Sequence, residues 1–288
     1  MVTDSACSLP AELATAWGVR VVPMWITIGM HQYRDGDLSL AEVVARLGEG
    51  LSTSGPAPGE LANVIDQADD GDGAVVLTVS RKMSSSHQSA LLAASLTQKS
   101  AGRTAVVDTG TAAGAQGLVV LAAARAARAG LPLAAVVAAA KKAAEATRLV
   151  ATLPRLDHLA RSGRVPGAAA WGARWLGLHP MFEFRASVVR PLRPARGHQQ
   201  ALDRIVELWA RSATAHSRKG DVLHVAAMHS LEASAAGRLL DQVRRQVGPD
   251  RLVTAFSSAF SPVMVAHTGP GLVGLAWTWE ELGWRAAL

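Results

Sequence analysis

Short β-branched runs alternate with longer alanine-rich stretches through the first half of the chain. Val21-Val22-Pro23-Met24-Trp25-Ile26 reads as a short buried strand. Ala74 to Val79 is a cleaner one, and Thr104 to Thr109 is a third. Helical stretches lie between them. The stretch from Ser39 to Leu47 opens with a serine cap and has Glu42 three residues on, the spacing of a capping box. Ser86 to Thr97, Gly114 to Ala129 and Leu133 to Ala146 read as alanine-rich helices. Apolar strands alternating with helices predict an α/β fold with a mainly parallel sheet flanked by helices.

The alternation resumes after Ala146. Glu183 to Arg190 reads as a strand, Ala201 to Ala213 as a helix and Asp221 to Met228 as a strand. Leu231 to Val247 follows as a long helix, Arg251 to Ser257 as a strand, and the apolar run Gly271 to Trp277 as a last strand. This pattern divides the chain near residue 150 into an N-terminal α/β domain, residues 1–150, and a C-terminal α/β domain, residues 151–288.

Composition narrows the class. At 288 residues, with 49% hydrophobic and 18% charged residues, the chain can bury a large core and does not resemble a disordered protein. One cysteine, Cys7, rules out an intramolecular disulfide and argues against a cysteine metal cluster. The apolar region Thr111 to Ala144 is broken by Arg125, Arg128, Lys141 and Lys142, so it lacks the roughly 20 uninterrupted residues of a membrane helix. The N-terminus carries no basic segment followed by an apolar run. The expectation is a soluble, cytoplasmic protein.

The net charge is +6. Between Ala151 and Arg204 stand nine arginines and three acids (Asp157, Glu183 and Asp203), a local excess of 9 − 3 = +6. Such a segment attracts acidic partners or anionic membranes, or consists of solvated arginines spread over a surface. Within it Arg164, Arg193, Arg196 and Arg204 are candidates for docking a partner or a membrane. Nucleic acid is not expected, since apart from Trp171 and Trp175 no aromatics interleave with the basic residues.

Polar residues cluster directly after the predicted strands, where open parallel sheets bind ligands. The clusters are Thr3-Asp4-Ser5, Thr53-Ser54-Gly55-Pro56, Ser80 to Ser89, and Ala266-His267-Thr268-Gly269-Pro270-Gly271. The Ser84-Ser85-Ser86 run opens a helix, where backbone N–H groups and hydroxyls face an anion. A single serine there is usually only a cap. Three in a row, with Thr53 and Ser54 as a second hydroxyl source, point to an anion site. His267 precedes a tight Gly-Pro-Gly turn that lets backbone approach a ligand closely, and a histidine can donate to a carboxylate.

These segments, with Asp4 to Pro10, Val21-Val22-Pro23-Met24, Tyr33-Arg34-Asp35, Ser84 to Ala90, Val107-Asp108-Thr109, Gly163-Arg164-Val165 and His179-Pro180-Met181, resemble the DegV family over nearly the whole chain. The resemblance implies a two-domain α/β protein that holds one long-chain fatty acid between its domains. It further implies a binding subunit rather than an enzyme, whose bound carboxylate is phosphorylated by a separate ATP-using fatty acid kinase for phospholipid synthesis. The carboxylate contacts it implies fall on Thr53, Ser84 and His267, with Ser54 and Ser85 as secondary ones. Four positions depart from the family pattern: Gly55 stands where glutamine is usual, Ser85 and Ser86 turn the usual Ser-Gly-Thr into Ser84-Ser85-Ser86, and His87 replaces tyrosine.

A chain of ~16 carbons buries about 14 methylenes, worth roughly 11 kcal/mol before entropic costs, against about 1.5–3 kcal/mol for each carboxylate contact. An apolar tunnel therefore dominates affinity and the polar residues orient the head group. Met24, Ile26, Leu178, Met181 and Phe182 are candidate tunnel residues, with a plain core role as the alternative for each. No Walker loop, Gly-x-Ser-x-Gly elbow or His-Glu-x-x-His motif is present, so neither cofactor nor metal is expected in this chain. Two other readings are an acyl-ester hydrolase with Ser84 as nucleophile, His267 as base and Asp4 or Asp108 as the orienting acid, and a carrier of another amphiphilic carboxylate.

Overall fold

The computed structural model describes residues 1–165, 167, 168, 178–216 and 220–281. In its first half the strands are β1 (Val2–Asp4), β2 (Arg20–Val22), β3 (Trp25–Ile28), β4 (His31–Arg34), β5 (Ser52–Ser54), β6 (Ala74–Thr78) and β7 (Thr104–Asp108). The helices are α1 (Ala11–Ala16), α2 (Leu40–Ala45), α3 (Pro58–Ala68), α4 (Ser86–Leu96), α5 (Ala113–Arg128) and α6 (Leu133–Ala146). Four strands form a parallel sheet in the order β2-β1-β6-β7. All five residues of β6 are buried because helices cover both faces. Val75 and Leu77 pack on Val119, Val120 and Val136 of α5 and α6. Val76 packs on the other side against Leu61 and Ile65 of α3 and Ala90 of α4. Ser39 and Glu42 form the predicted capping box at the start of α2.

The run Val21 to Ile26 is not one strand. Pro23 has no N–H to give to a ladder, so β2 ends at Val22, and Trp25 begins β3 in a separate antiparallel sheet ordered β4-β3-β5. This small sheet is what brings Thr53, on β5, opposite Ile26 on β3.

The second half contains β8 (Arg148–Thr152), α7 (Asp157–Arg161), β9 (His179–Arg185), β10 (Val188–Ala195), α8 (His198–His216), β11 (Val222–His229), α9 (Ala233–Gln246), β12 (Leu252–Ala259), α10 (Pro262–Thr268) and β13 (Val273–Glu280). Six strands form one sheet in the order β10-β9-β8-β13-β11-β12. β11 and β12 run parallel and the other neighbours antiparallel. The predicted strand Glu183 to Arg190 is in fact the hairpin of β9 and β10. Ala186 (φ 49°) and Ser187 (φ 61°) are both left-handed, the geometry of a two-residue primed turn. The turn is tied to the other half of the molecule. The Ser187 N–H donates to the Gly110 carbonyl at 2.7 Å, and Ser80 Oγ donates to Ser187 Oγ at 3.0 Å.

Each face of the six-stranded sheet has its own partner. Val150, Met181, Val225 and Leu275 pack on α8 and α9 around Trp209, Leu239 and Leu240. The opposite face, with Leu149, Ala151, Phe182 and Phe184, turns toward the parallel sheet. Residue 150 lies inside β8, and the chain passes from α6 into this sheet at Thr147. Arg125 of α5 reaches across to Glu280 of β13 at 3.0 Å, and His224 Nε2 lies 2.7 Å from the same carboxylate oxygen.

Candidate functional site

A cavity lies between the C-terminal ends of the parallel strands and the inner face of the six-stranded sheet. It spans ≈ 900 Å³ when the open space at its mouth is included. Ala6, Met24, Val79, Met83 and Ala112 line it from the first half, and Leu149, Ala151, Phe182, Phe184 and Val189 from the second. The polar lining residues Thr53, Ser54, Ser84, Ser85, Arg164 and His267 form one polar end, since Thr53 meets His267, Arg164 acts on His267, and Gly55 beside Ser54 packs on Ser86 of the serine loop.

His267 Nε2 lies 2.7 Å from Thr53 Oγ1, although the two residues are 214 positions apart in the chain. Several contacts place the short helix α10 that carries His267. Asp35, just past β4, accepts the Val263 N–H at 3.0 Å near the start of α10. The same carboxylate accepts the Ser5 hydroxyl at 2.5 Å, and Ser5 Oγ accepts the Met24 N–H at 3.0 Å. At the other end of α10, Gly269 (φ 71°) packs so closely on His158 that an added Cβ would come within 2.5 Å of the ring. A Cβ on Gly271 (φ 85°) would lie 2.7 Å from Pro154. Both glycines are therefore required by space as well as by backbone conformation.

The serine loop is held from within. Ser84 Oγ and Ser86 Oγ are 3.0 Å apart, and the Ser86 N–H donates to Ser84 Oγ at 3.2 Å. The departures from the family pattern have a steric logic. Ser85 sits at φ −73°, ψ −3°, an ordinary right-handed conformation that does not call for glycine. Gly55 lies against Ser86, where a Cβ would meet Ser86 Oγ at 2.9 Å and Ser86 backbone at 3.1 Å. The bare α-carbon of Gly55 thus makes room for the loop.

Burial sets the charges here. Desolvation, and then the Arg164 guanidinium, push His267 down to about 4, so its ring is neutral at pH 7. Asp4 at the end of β1 is pushed up to about 6, mainly by burial. Its carboxylate accepts from the Ala6 N–H (3.2 Å), the Val79 N–H (2.9 Å) and Gln116 Nε2 (3.0 Å), which joins β1, β6 and α5 beneath the cavity. Burial likewise pushes the Cys7 thiol up to about 12, leaving it unreactive.

Residues 1–280 match the model of the DegV family, COG1307. The chain belongs to the DegV family. It is 32% identical over 281 residues to a DegV domain-containing protein of Streptomyces coelicolor, covering 96% of each. It is 33% identical over 281 residues to one of Deinococcus radiodurans, again covering 96% of each. Among solved structures it superposes with a TM-score of 0.85 on a DegV family protein of Thermus thermophilus described for its fatty acid binding. That protein is 32% identical, with 96% of this chain and 98% of the other covered. The Bacillus subtilis DegV protein, at 24% identity and a TM-score of 0.82, shares the fold.

The DegV cavity gathers some of the sequence-predicted residues and leaves out others. Thr53, Ser54, Ser84, Ser85 and His267 all line its polar end, and Met24 and Phe182 line its apolar wall. Ile26, Leu178 and Met181 are not in the wall. Ile26 is fully buried in the core behind β3. Met181 lies on the far face of its strand, among the residues that pack on α8 and α9. Strand alternation decides this, since neighbouring residues face opposite ways and Phe182 takes the inner side. Leu178 is half-buried just before β9.

Arg164, placed by charge alone with the docking arginines, lines the cavity instead. Its Nη1 donates to the Ser162 carbonyl at 2.6 Å. Arg193 and Arg196 are exposed. Arg204 Nη1 donates to the carbonyls of Arg193 (3.2 Å) and Pro194 (2.5 Å), so it braces the end of β10. Trp171 and Trp175 fall outside the described residues.

Sequence reasoning passed over Leu149, Ala151, Phe184 and Val189 as wall residues. Their signal was the alternation along β8 and β9 together with the hairpin turn. No hydrogen bond among the described residues connects His267 to Ser84, Asp4 or Asp108. Asp108 instead accepts from the Arg81 and Gly110 N–H groups. Among the described residues no group of three His, Cys, Asp or Glu side chains is placed to hold a metal ion. None of their helices is long and apolar enough to cross a membrane.

Proposed function

We propose that this protein holds a long-chain fatty acid in the cavity, with its carboxylate at Thr53, Ser84 and His267, and presents that carboxylate to a separate ATP-dependent fatty acid kinase that forms an acyl phosphate. The observation that carries this reading is the polarity of the cavity. Its walls are apolar, and its polar side chains converge at one end around the 2.7 Å contact of Thr53 and His267.

The threonine hydroxyl and the neutral imidazole lie within hydrogen-bond distance of one another. A carboxylate offers acceptor oxygens to the Thr53 hydroxyl, to an imidazole N–H and to the Ser84 hydroxyl, with Ser54 and Ser85 next to them in the chain. Burial, and after it the Arg164 charge, keeps His267 neutral, and that same charge favours an anion at this spot. Burial of about 14 methylenes contributes up to roughly 11 kcal/mol, so the wall supplies affinity and the hydroxyls and imidazole orient the head group. Orientation matters because an in-line phosphoryl transfer needs the carboxylate oxygen presented outward, and in this reading both ATP and its metal belong to the partner. The fatty acid relative of Thermus thermophilus supports the ligand class. The protein then works in the cytoplasm, with Arg193 and Arg196 on the surface that meets the kinase or, transiently, an anionic membrane.

Mass spectrometry of the denatured protein, purified from cells, tests this reading. A long-chain fatty acid released at about one per chain is expected. Protein that emerges empty and takes up no added fatty acid overturns it, and release of a different amphiphilic carboxylate replaces the ligand while keeping the site.

A further inference from the structure

The inner face of the six-stranded sheet is arranged in rungs that lead away from His267. The turn after His267 delivers Leu272 to the cavity wall at the start of β13, against the Pro154 end of β8. The next rung is Ala151 opposite Phe182. Two residues further along the strands, about 6.7 Å on, Leu149 stands opposite Phe184, and Phe184 stands opposite Val189 of β10. Along β8 and β9 this is the cavity-lining rung most distant from the Pro154 end of β8 that Gly271 packs on, and Leu149 and Phe184 are each only 4% exposed.

The rung is also fixed in place. Just beyond it the β9–β10 hairpin turns at Ala186 and Ser187, and the Ser187 backbone and hydroxyl are bonded to Gly110 and Ser80 of the other half. Gly110 sits so near that an added Cβ would lie 3.2 Å from Ser187 Oγ. A hairpin anchored at its tip in this way cannot slide to admit a longer tail without losing those bonds.

We infer that Leu149, Phe184 and Val189 form a stop that sets the length of acyl chain this protein accepts. The inference rests on the fatty acid reading above and adds the residues that select among fatty acids. A tail that ends at the rung is fully enclosed, and each methylene beyond it is left without a place. Because a buried methylene is worth about a fourfold change in affinity, a stop of this kind discriminates steeply between homologues differing by two carbons, by about fifteenfold.

The test measures displacement of a fluorescent fatty acid by saturated fatty acids of increasing length, using the full chain and three variants. Phe184→Ala is expected to move the optimum to longer chains, and Val189→Phe to shorter ones. Met181→Leu, on the opposite face of the same strand, is expected to leave the optimum where it is. Opposite shifts in the two wall variants cannot come from a general loss of folding. If the unmodified protein binds none of the acids, the fatty acid reading falls and the stop with it. If it binds with a clear optimum that both wall variants retain, only the stop is overturned.

Discussion

Thr53, Ser84 and His267 reach the polar end of the cavity from three separate elements, the strand β5, the loop before α4 and the helix α10, and depend on bonds made elsewhere. Leu149, Ala151, Phe182 and Phe184 reach the apolar wall from two neighbouring strands of one sheet. The polar end therefore relies on many individual supports, such as Asp35 on the Val263 N–H, Gly269 on His158, and Gly55 beneath Ser86. The wall relies on one repeated rule, strand alternation, and on the packing behind it. Damage to the wall should then be severe but local in kind, because it removes volume. Damage to the polar end should be smaller in affinity and should appear in what happens to the carboxylate.

The sharpest way to break this contrast is to fill the wall. Ala151 is fully buried between the two halves. Ala151→Phe puts a ring where about four methylenes of a ligand would lie, costing roughly 3 kcal/mol, or about 100-fold in fatty acid affinity. Overpacking costs the protein itself about 1–3 kcal/mol. Titration with a fluorescent fatty acid, alongside a melting curve to confirm folding, measures both. A folded variant that binds as tightly as the unmodified protein would place the tail elsewhere.

The polar end should respond more mildly in binding. Removing one charged hydrogen bond costs about 1.5–3 kcal/mol, so His267→Ala is expected to weaken fatty acid binding roughly 10–100-fold. Acyl phosphate formation with the kinase is expected to fall further, because the carboxylate is then misoriented as well as loosely held. Comparing the two losses in one preparation decides the point. Equal losses would mean that His267 holds the ligand without orienting it.

The two regions also differed in how readable they were. The polar end was visible because its residues are chemically unusual in context: a hydroxyl run at a helix start, and a histidine before Gly-Pro-Gly. Their loops follow apolar strands, and such loops converge in an open sheet. The wall was harder. Phe182 and Met181 are adjacent apolar residues, and only the register of β9 against β8 shows that the first faces the cavity and the second the helices. Val21 to Ile26 reads as one strand because apolar composition does not show that Pro23 ends a ladder and that the chain then changes sheets. Arg164 was grouped with surface arginines because charge counting carries no information about direction. The overall α/β layout, by contrast, followed from periodicity over long segments such as α5, α6 and α9, where many residues agree.

The smallest expected effect concerns the charges beneath and beside the site, and it separates them by sign. Unfolding returns His267 from about 4 to its ordinary value near 6.5. Between those values the unfolded chain binds the extra proton, so the His267 contribution makes the protein less stable as pH falls from 6.5 to 4. Asp4 behaves oppositely. Its carboxyl is held up at about 6 in the folded protein against 3.8, so the folded state takes the proton first and gains stability as pH falls from 6 to 3.8. The two windows overlap almost completely and largely cancel in the unmodified protein. Replacing either group should uncover the other. Relative to the unmodified protein, His267→Gln should gain stability between pH 7 and pH 4.5, and Asp4→Asn should lose it, each by roughly 1–2 kcal/mol. Melting temperatures at the two pH values measure the change. Differences that stay constant across the window would show that neither group is held away from its ordinary titration by the fold, and the picture of a desolvated, neutral His267 at the polar end would have to be given up.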